Sequence, residues 1–368
     1  MMGIITNTKS EDILGELTQH RSMSAVPFGC RYRLIDFPLS NMVNSGIKNI
    51  AVVMTNKSRA LLDHLNSGKE WSLDRKSEGL FLLPSASPRL FQKKNKFDLK
   101  DLWENFDYLQ RARQKYVVLS GNNVIFNGNY QKGLQYHKEK GADVTLYYKE
   151  EGAHNLSPGS FNYFEVKENG RVTSIHSCPS KTENNQVSLE TIILERSLLM
   201  EIVKLAADTG NWDLGDVLLD NINELKVFGY PFKGYAGKIN SLVSYFRHSM
   251  ELLQPQVQQE LFFANGPIYT KIKDGPPVKY TETAETANIL AGSGCYIEGK
   301  VENSLLFRGV AVGRGSLIRK SIIMQNSIIE ENVVLENVIL DKDVFVRKGT
   351  VLKGEEGKPV VIGKRTVI

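Results

Sequence analysis

From about residue 291 onward, apolar clusters recur at intervals of about five to six residues, and no other feature of this chain restricts its fold so strongly. The clusters are Leu305-Leu306, Val310–Val312, Leu317-Ile318, Ile322-Ile323, Ile328-Ile329, Val333–Leu335, Val338–Leu340, Val344–Val346 and Val351-Leu352. Gly309, Gly313, Gly315, Asn326, Asn332, Asn337 and Gly349 separate them. A helix period does not produce this spacing, and a plain hairpin meander does not explain its regularity. A hexapeptide-repeat, left-handed parallel β-helix does: each short strand forms one wall of a prism, and stacked coils bury a continuous core. A small β-sandwich is the alternative.

The preceding two-thirds alternate short apolar runs with amphipathic helical patterns, as in an α/β, Rossmann-like domain with a mixed, mostly parallel sheet. Residues 3–6, 49–54, 116–120 and 143–148 read as strands, and residues 61–65, 99–113 and 130–140 as helices. Parallel strands place ligands at their carboxyl ends, so Thr6, Met54 and Ser120–Asn123 should border a cleft. The expected organisation is an α/β domain over 1–246, a connecting segment over 247–288 and the β-helix over 289–368. The connector should begin as helix (His248–Leu253) and continue as an extended path through Pro255, Pro267, Pro276 and Pro277.

Several functions are disfavoured by composition. Net charge is +5, from 46 basic and 41 acidic residues, which suits small anions but argues poorly for nucleic acid. No apolar stretch approaches the length of a membrane span or signal peptide. Cys30, Cys178 and Cys295 are too scattered for a disulfide framework or a metal cluster, so a cytoplasmic setting is the simplest. Many hexapeptide β-helices are acyltransferases with a histidine base, but His20, His64, His137, His154, His176 and His248 all precede the repeats.

Residues 25–46, AVPFGCRYRLIDFPLSNMVNSG, closely resemble the signature of bacterial glucose-1-phosphate adenylyltransferases. Similarity continues through His64–Arg75, Leu119–Tyr130, Tyr136–Asp143, Asp213–Asp216, Tyr230–Tyr235 and Ser304–Gly313, so it covers nearly the whole chain. The resemblance implies a scaffold for joining ATP to glucose 1-phosphate with release of pyrophosphate.

The positions that should do this chemistry are altered. The family's G-G-x-G-[ST]-R-L loop, whose backbone approaches the triphosphate, corresponds to TNTKSEDILGELT, with Ile13 at the arginine and Glu11 and Asp12 beside it. Met23 stands where a phosphate-facing lysine is expected. The two aspartates that hold Mg²⁺ correspond to Asn122 and Lys238, although Asn122 also suits a turn or helix cap. The sugar-phosphate motif F-x-E-K-P aligns with IHSCPS, leaving Cys178, which reads as an inert thiol. Phe97 and Asp98 replace small residues at a helix start, and Lys93, Lys94 and Lys96 read as decoration of a loop.

This pattern is similar to the GlgD-type subunit, a non-catalytic, regulatory member of the family that partners a catalytic subunit in a hetero-oligomer. The resemblance therefore implies no catalytic residue, metal or cofactor in this chain. It implies a catalytic glucose-1-phosphate adenylyltransferase subunit as partner, a heterotetramer as the assembly, and a phosphorylated metabolite as effector. His20, Arg21 and Arg33 match the family's effector-phosphate region, with intramolecular or interface ion pairs as the alternative role for the arginines. Two other readings stay open: an active nucleotidyltransferase with a rearranged site, and a stand-alone sugar-phosphate or nucleotide sensor.

Overall fold

In a computed structural model, the structure describes residues 1–6, 11–55, 57–85, 97–152, 163–176 and 184–368. Its N-terminal part is built on a nine-stranded sheet. The strands Tyr116–Gly121, Met2–Thr6, Asn49–Val53 and Gly79–Leu83 lie side by side and parallel. The long strand Asn184–Glu195 joins antiparallel to Tyr116–Gly121 and pairs in turn with Val144–Gly152. Thr6 and Gly121 are in register, so the carboxyl ends of the central strands open at the same edge of the sheet.

Both faces of the sheet are covered, which is why its strands read as continuous apolar runs rather than alternating ones. Leu39, Met42, Tyr130 and Leu134 from the helices Asp36–Asn44 and Tyr130–Glu139 pack on one face. Leu102, Leu109, Leu199 and Val217, carried by four other helices, pack on the opposite face. The segment expected as one helix from 99 to 113 is two, Leu99–Glu104 and Phe106–Arg111. Its break falls at Asn105, whose side-chain amide donates to the carbonyls of Asp101 and Pro84 and so competes with the helical ladder.

The repeats form a parallel β-helix. Corresponding coil positions are 17 residues apart, as in the bond from the Ser321 amide to Ser304 Oγ and that from the Val338 amide to Ser321 Oγ. Val312, Ile329 and Val346 stack inside the prism, each on its equivalent in the next coil. Asn326, Asn332 and Asn337 turn the corners with φ between 53° and 59°, where asparagine is better tolerated than most side chains.

The first coil begins before residue 289: Lys279–Tyr280 and Glu285–Ala291 already pair with the strands Tyr296–Ile297 and Lys300–Leu306. The run ETANILA is largely solvent-facing and lacks the paired apolar signature, which is why periodicity places the boundary late. In the connector, Pro255 occupies the first turn of the helix Pro255–Phe262 rather than an extended path. Proline's fixed φ and missing N–H suit that position.

One wall of the prism is buried on both sides. Leu306, Ile323 and Leu340 point into the prism, while Leu305, Ile322 and Ile339 pack against Leu14, Leu17, Met23, Phe28 and Tyr245 of the α/β domain. At this junction Arg21 makes a two-pronged ion pair with Asp341, both contacts at 2.9 Å, with side chains 5% and 1% exposed. Tyr245 Oη, from the helix Leu242–Glu251, donates to the Pro27 carbonyl at 2.7 Å.

Removing one member of such a pair leaves the other charge buried without compensation, at a cost of roughly 3–5 kcal/mol. Asp341→Ala is therefore expected to lower unfolding free energy by about that amount in urea titrations. The double variant Arg21→Met/Asp341→Leu should lose much less. A single variant within about 1 kcal/mol of the parent would show that Arg21 is not held as described.

Candidate functional site

The edge where the central strands end brings together three of the altered positions. The turn after Gly121 is closed by Asn122, 1% exposed, whose Nδ2 donates to Ser24 Oγ at 2.7 Å. Ser24 lies in the single 3-10 turn Met23–Ala25, so the asparagine ties the strand end directly to the signature segment. Asn123 exchanges bonds with Ile239: the Ile239 amide donates to its carbonyl at 2.8 Å, and its Nδ2 donates to the Ile239 carbonyl at 3.3 Å. These bonds and the pairing of Val124 with Lys238 fix the strand Ala236–Lys238 beside the turn.

Lys238 is buried there, and its Nζ contacts Glu190 Oε1 at 2.6 Å, with both side chains 5% exposed. Glu190 reaches this place through a bulge. Between Ser188 and Ile192 the strand Asn184–Glu195 slips against its neighbour, and Glu190 adopts φ +49° with its amide bonded to Ser188 Oγ. Thr191 is opposite Ser120, so the bulge sits level with the strand end that carries Asn122.

A hard dication such as Mg²⁺ wants anionic oxygen ligands in near-octahedral order. Among the described residues, the groups at this strand end are the Asn122 amide, the Lys238 ammonium and the Glu190 carboxylate it engages, with Asp213 lining the cavity beyond. They do not fit the ion.

Phe97, Leu146, Phe164, Ile192 and Asp213 surround a cavity of only about 30 Å³ next to Glu190. Small-molecule sites run to about 300–1,000 Å³. Asp98 caps the helix Leu99–Glu104 by accepting from the Lys100 amide, and it bridges to Asp213. Phe97 thus fills space beside this cavity, and Asp98 caps the helix that follows.

Met23 is 2% exposed and lies in the interdomain apolar cluster, with Ile13 packed against that cluster from the turn Glu11–Thr18. Residues 7–10, the side chains of Glu11 and Asp12, Lys93, Lys94, Lys96, His154 and Cys178 lie outside the described residues.

The three effector candidates part company. His20 is exposed, and Arg21 is engaged by Asp341. Arg33 is held by its guanidinium to the Ala60 carbonyl and lines a pocket of about 130 Å³ between the domains. Arg31 and Arg33 from the signature, Lys271 and Lys273 from the connector, and Arg308 and Lys342 from the β-helix face this pocket. Asp343 is its one lining carboxylate, and His64 at its side is held by Asp36 Oδ1 at 2.6 Å. Burial outweighs the opposing effect of Asp36 and lowers Arg33 to about 10. Burial and neighbouring arginines likewise depress Lys273 and Arg308.

Sequence reasoning missed Glu190 and five of these cations, Arg31, Lys271, Lys273, Arg308 and Lys342, as site residues. A lone acid inside the apolar run VSLETIIL is a signal that could have found Glu190. Lys271 and Lys273, two residues apart on an extended segment, share one side of the chain. Arg308 and Lys342 carry no comparable mark, because only the docking of the domains assembles them.

Among the described residues, no helix is long and apolar enough to cross a membrane. Residues 13–251 match the family model described as nucleotidyl transferase, and residues 276–358 match the one described as GlmU-like, C-terminal hexapeptide. The chain is 38% identical over 368 residues to the glycogen biosynthesis protein GlgD of Bacillus subtilis, covering 100% of this chain and 96% of that one. It is 39% identical to the glycogen biosynthesis protein GlgD of Geobacillus stearothermophilus, covering 100% and 97%. Glucose-1-phosphate adenylyltransferase of Thermosipho africanus is 33% identical over 312 residues, 83% of this chain and 74% of that one. On the fold, the matched domains and this end-to-end similarity, the chain belongs to the nucleotidyl transferase family, in the group that holds the GlgD proteins and the glucose-1-phosphate adenylyltransferases.

Proposed function

We propose that this chain is a regulatory, catalytically degenerate subunit of glycogen biosynthesis, acting in the cytoplasm on a catalytic glucose-1-phosphate adenylyltransferase subunit within a hetero-oligomer, expected to be a heterotetramer. The observation that supports this reading is the buried Lys238–Glu190 pair beside Asn122, with Asn122 and Lys238 at the positions where the resemblance expects the two aspartates that hold Mg²⁺. Transfer between two phosphorylated substrates depends on neutralising crowded phosphate charge, and metal ions do most of that work. An internally compensated ion pair supplies no net charge for it. Phe97 and the small adjoining cavity support the same reading on the sugar side.

A subunit without turnover acts by favouring one conformation of its partner, which requires contacts that the partner's homo-oligomer does not make. In this reading the interdomain basic pocket is the effector site. Arg33 is the original candidate retained there, and Arg21 serves the junction instead.

Mixing the purified chain with a catalytic glucose-1-phosphate adenylyltransferase from the same cell should give one species on size exclusion. That species should form ADP-glucose faster, or respond differently to phosphorylated effectors, than the catalytic chain alone. Co-elution with unchanged kinetics and unchanged effector response would contradict the regulatory role; separate elution would contradict the partnership.

The ion pair makes its own prediction. Lys238→Met removes the cation that faces the buried Glu190 carboxylate and should destabilise the chain by roughly 3–5 kcal/mol in chemical denaturation. Adding Glu190→Gln to it should recover most of the loss. A neutral effect of the single change would mean that the pair is not the structural replacement argued for here.

A further inference from the structure

The interdomain pocket gathers six cationic side chains around about 130 Å³, against a single lining carboxylate. That carboxylate, Asp343, is shared with Lys364 at 4.0 Å and Arg365 at 3.9 Å. Asp341, on the adjoining position, is committed to Arg21 and to the backbone amide of Lys342. Among the described residues, no carboxylate lies within ion-pair distance of Lys342 Nζ. Asp36, on the far side, holds His64 and the backbone amide of Arg33. The volume corresponds to about four water molecules, room for one tetrahedral oxyanion.

Taking the pocket as the effector site, on which this inference rests, we propose that a sulfate- or phosphate-class dianion enters it together with a proton that Lys342 Nζ accepts. The physical reason is the crowding of like charge. Lys342 is pushed down to about 7, first by burial and then by Arg33, Arg21 and Lys273, with Asp341 opposing. A dianion beside the amine reverses the balance and favours its charged form.

The sign follows from linkage. Below about 7 Lys342 is already charged in the empty pocket, and anion binding takes up no proton there. Above that value the empty pocket holds a neutral amine, the loaded one an ammonium, and affinity falls with rising pH by at most about tenfold per unit. The dependence ends where the loaded lysine itself loses its proton. Lysine, unlike arginine, can act in this way because its charge yields to burial.

The test is calorimetric titration of the full chain with sodium sulfate between pH 6.5 and 8.5, at constant ionic strength, in buffers of different ionisation heat. Sulfate keeps its charge throughout, whereas a phosphate monoester ionises near about pH 6. The expected result is a fall in affinity approaching tenfold from pH 7.5 to 8.5, with uptake approaching one proton per sulfate at the upper end. Lys342→Met should bind more weakly with no proton uptake, and Lys342→Arg should bind without the pH dependence. Equal sulfate affinity across the range, or proton uptake that persists in Lys342→Met, would overturn the proton coupling while leaving the anion site standing. Absence of saturable sulfate binding at every pH would overturn the site itself.

Discussion

The burial of one prism wall from both sides is the constraint on which the rest of this molecule depends. Leu305, Ile322 and Ile339 would be outward-facing positions on an isolated β-helix, yet each is fully buried against the α/β domain. Burying large aliphatic side chains contributes about 1.5–3 kcal/mol each, so the seam is a major part of the fold rather than a casual contact. Arg21 and Asp341 seal its edge, and because both prongs of the guanidinium are used, they also fix the angle at which the domains meet. The basic pocket exists only because that angle brings the signature, the connector and the β-helix to one place.

The cleft at the end of the parallel strands follows a different logic. Its scaffold is intact: the strand end, the closing turn and the neighbouring short strand are joined by bonds through Asn122 and Asn123. A lysine and a bulge-borne glutamate neutralise one another beside that turn, and Phe97 lines the small cavity next to Glu190. A buried ion pair is weak evidence for stability, since its desolvation cost rivals its attraction. Its consequence here is that the Lys238 ammonium and the Glu190 carboxylate compensate one another at the strand end.

Much of this was legible in the sequence. The β-helix announced itself by spacing, since a repeat must present the same apolar pair at each wall. The doublets Leu305-Leu306, Ile322-Ile323 and Ile339-Leu340 carried a further message that periodicity alone does not read, because one member serves the prism and the other the interdomain seam. Asn122 and Lys238 were found because a family motif has fixed positions to compare. Glu190 was not, because its role depends on a bulge that turns its side chain towards Lys238. The partner of Arg21 lies 320 residues away, and no local pattern encodes it. For the same reason the helix break at Asn105 and the early start of the β-helix at Lys279 escaped periodicity: a tertiary tether causes the first, and exposed faces hide the second.

The proposed regulatory role requires that this cleft does not perform adenylyl transfer. Its most direct test is pyrophosphate release by the isolated chain, freed of any catalytic homologue, with ATP, glucose 1-phosphate and Mg²⁺ at saturating concentrations. The expected rate is indistinguishable from that of the buffer. Sustained, Mg²⁺-dependent turnover that survives further purification would contradict it.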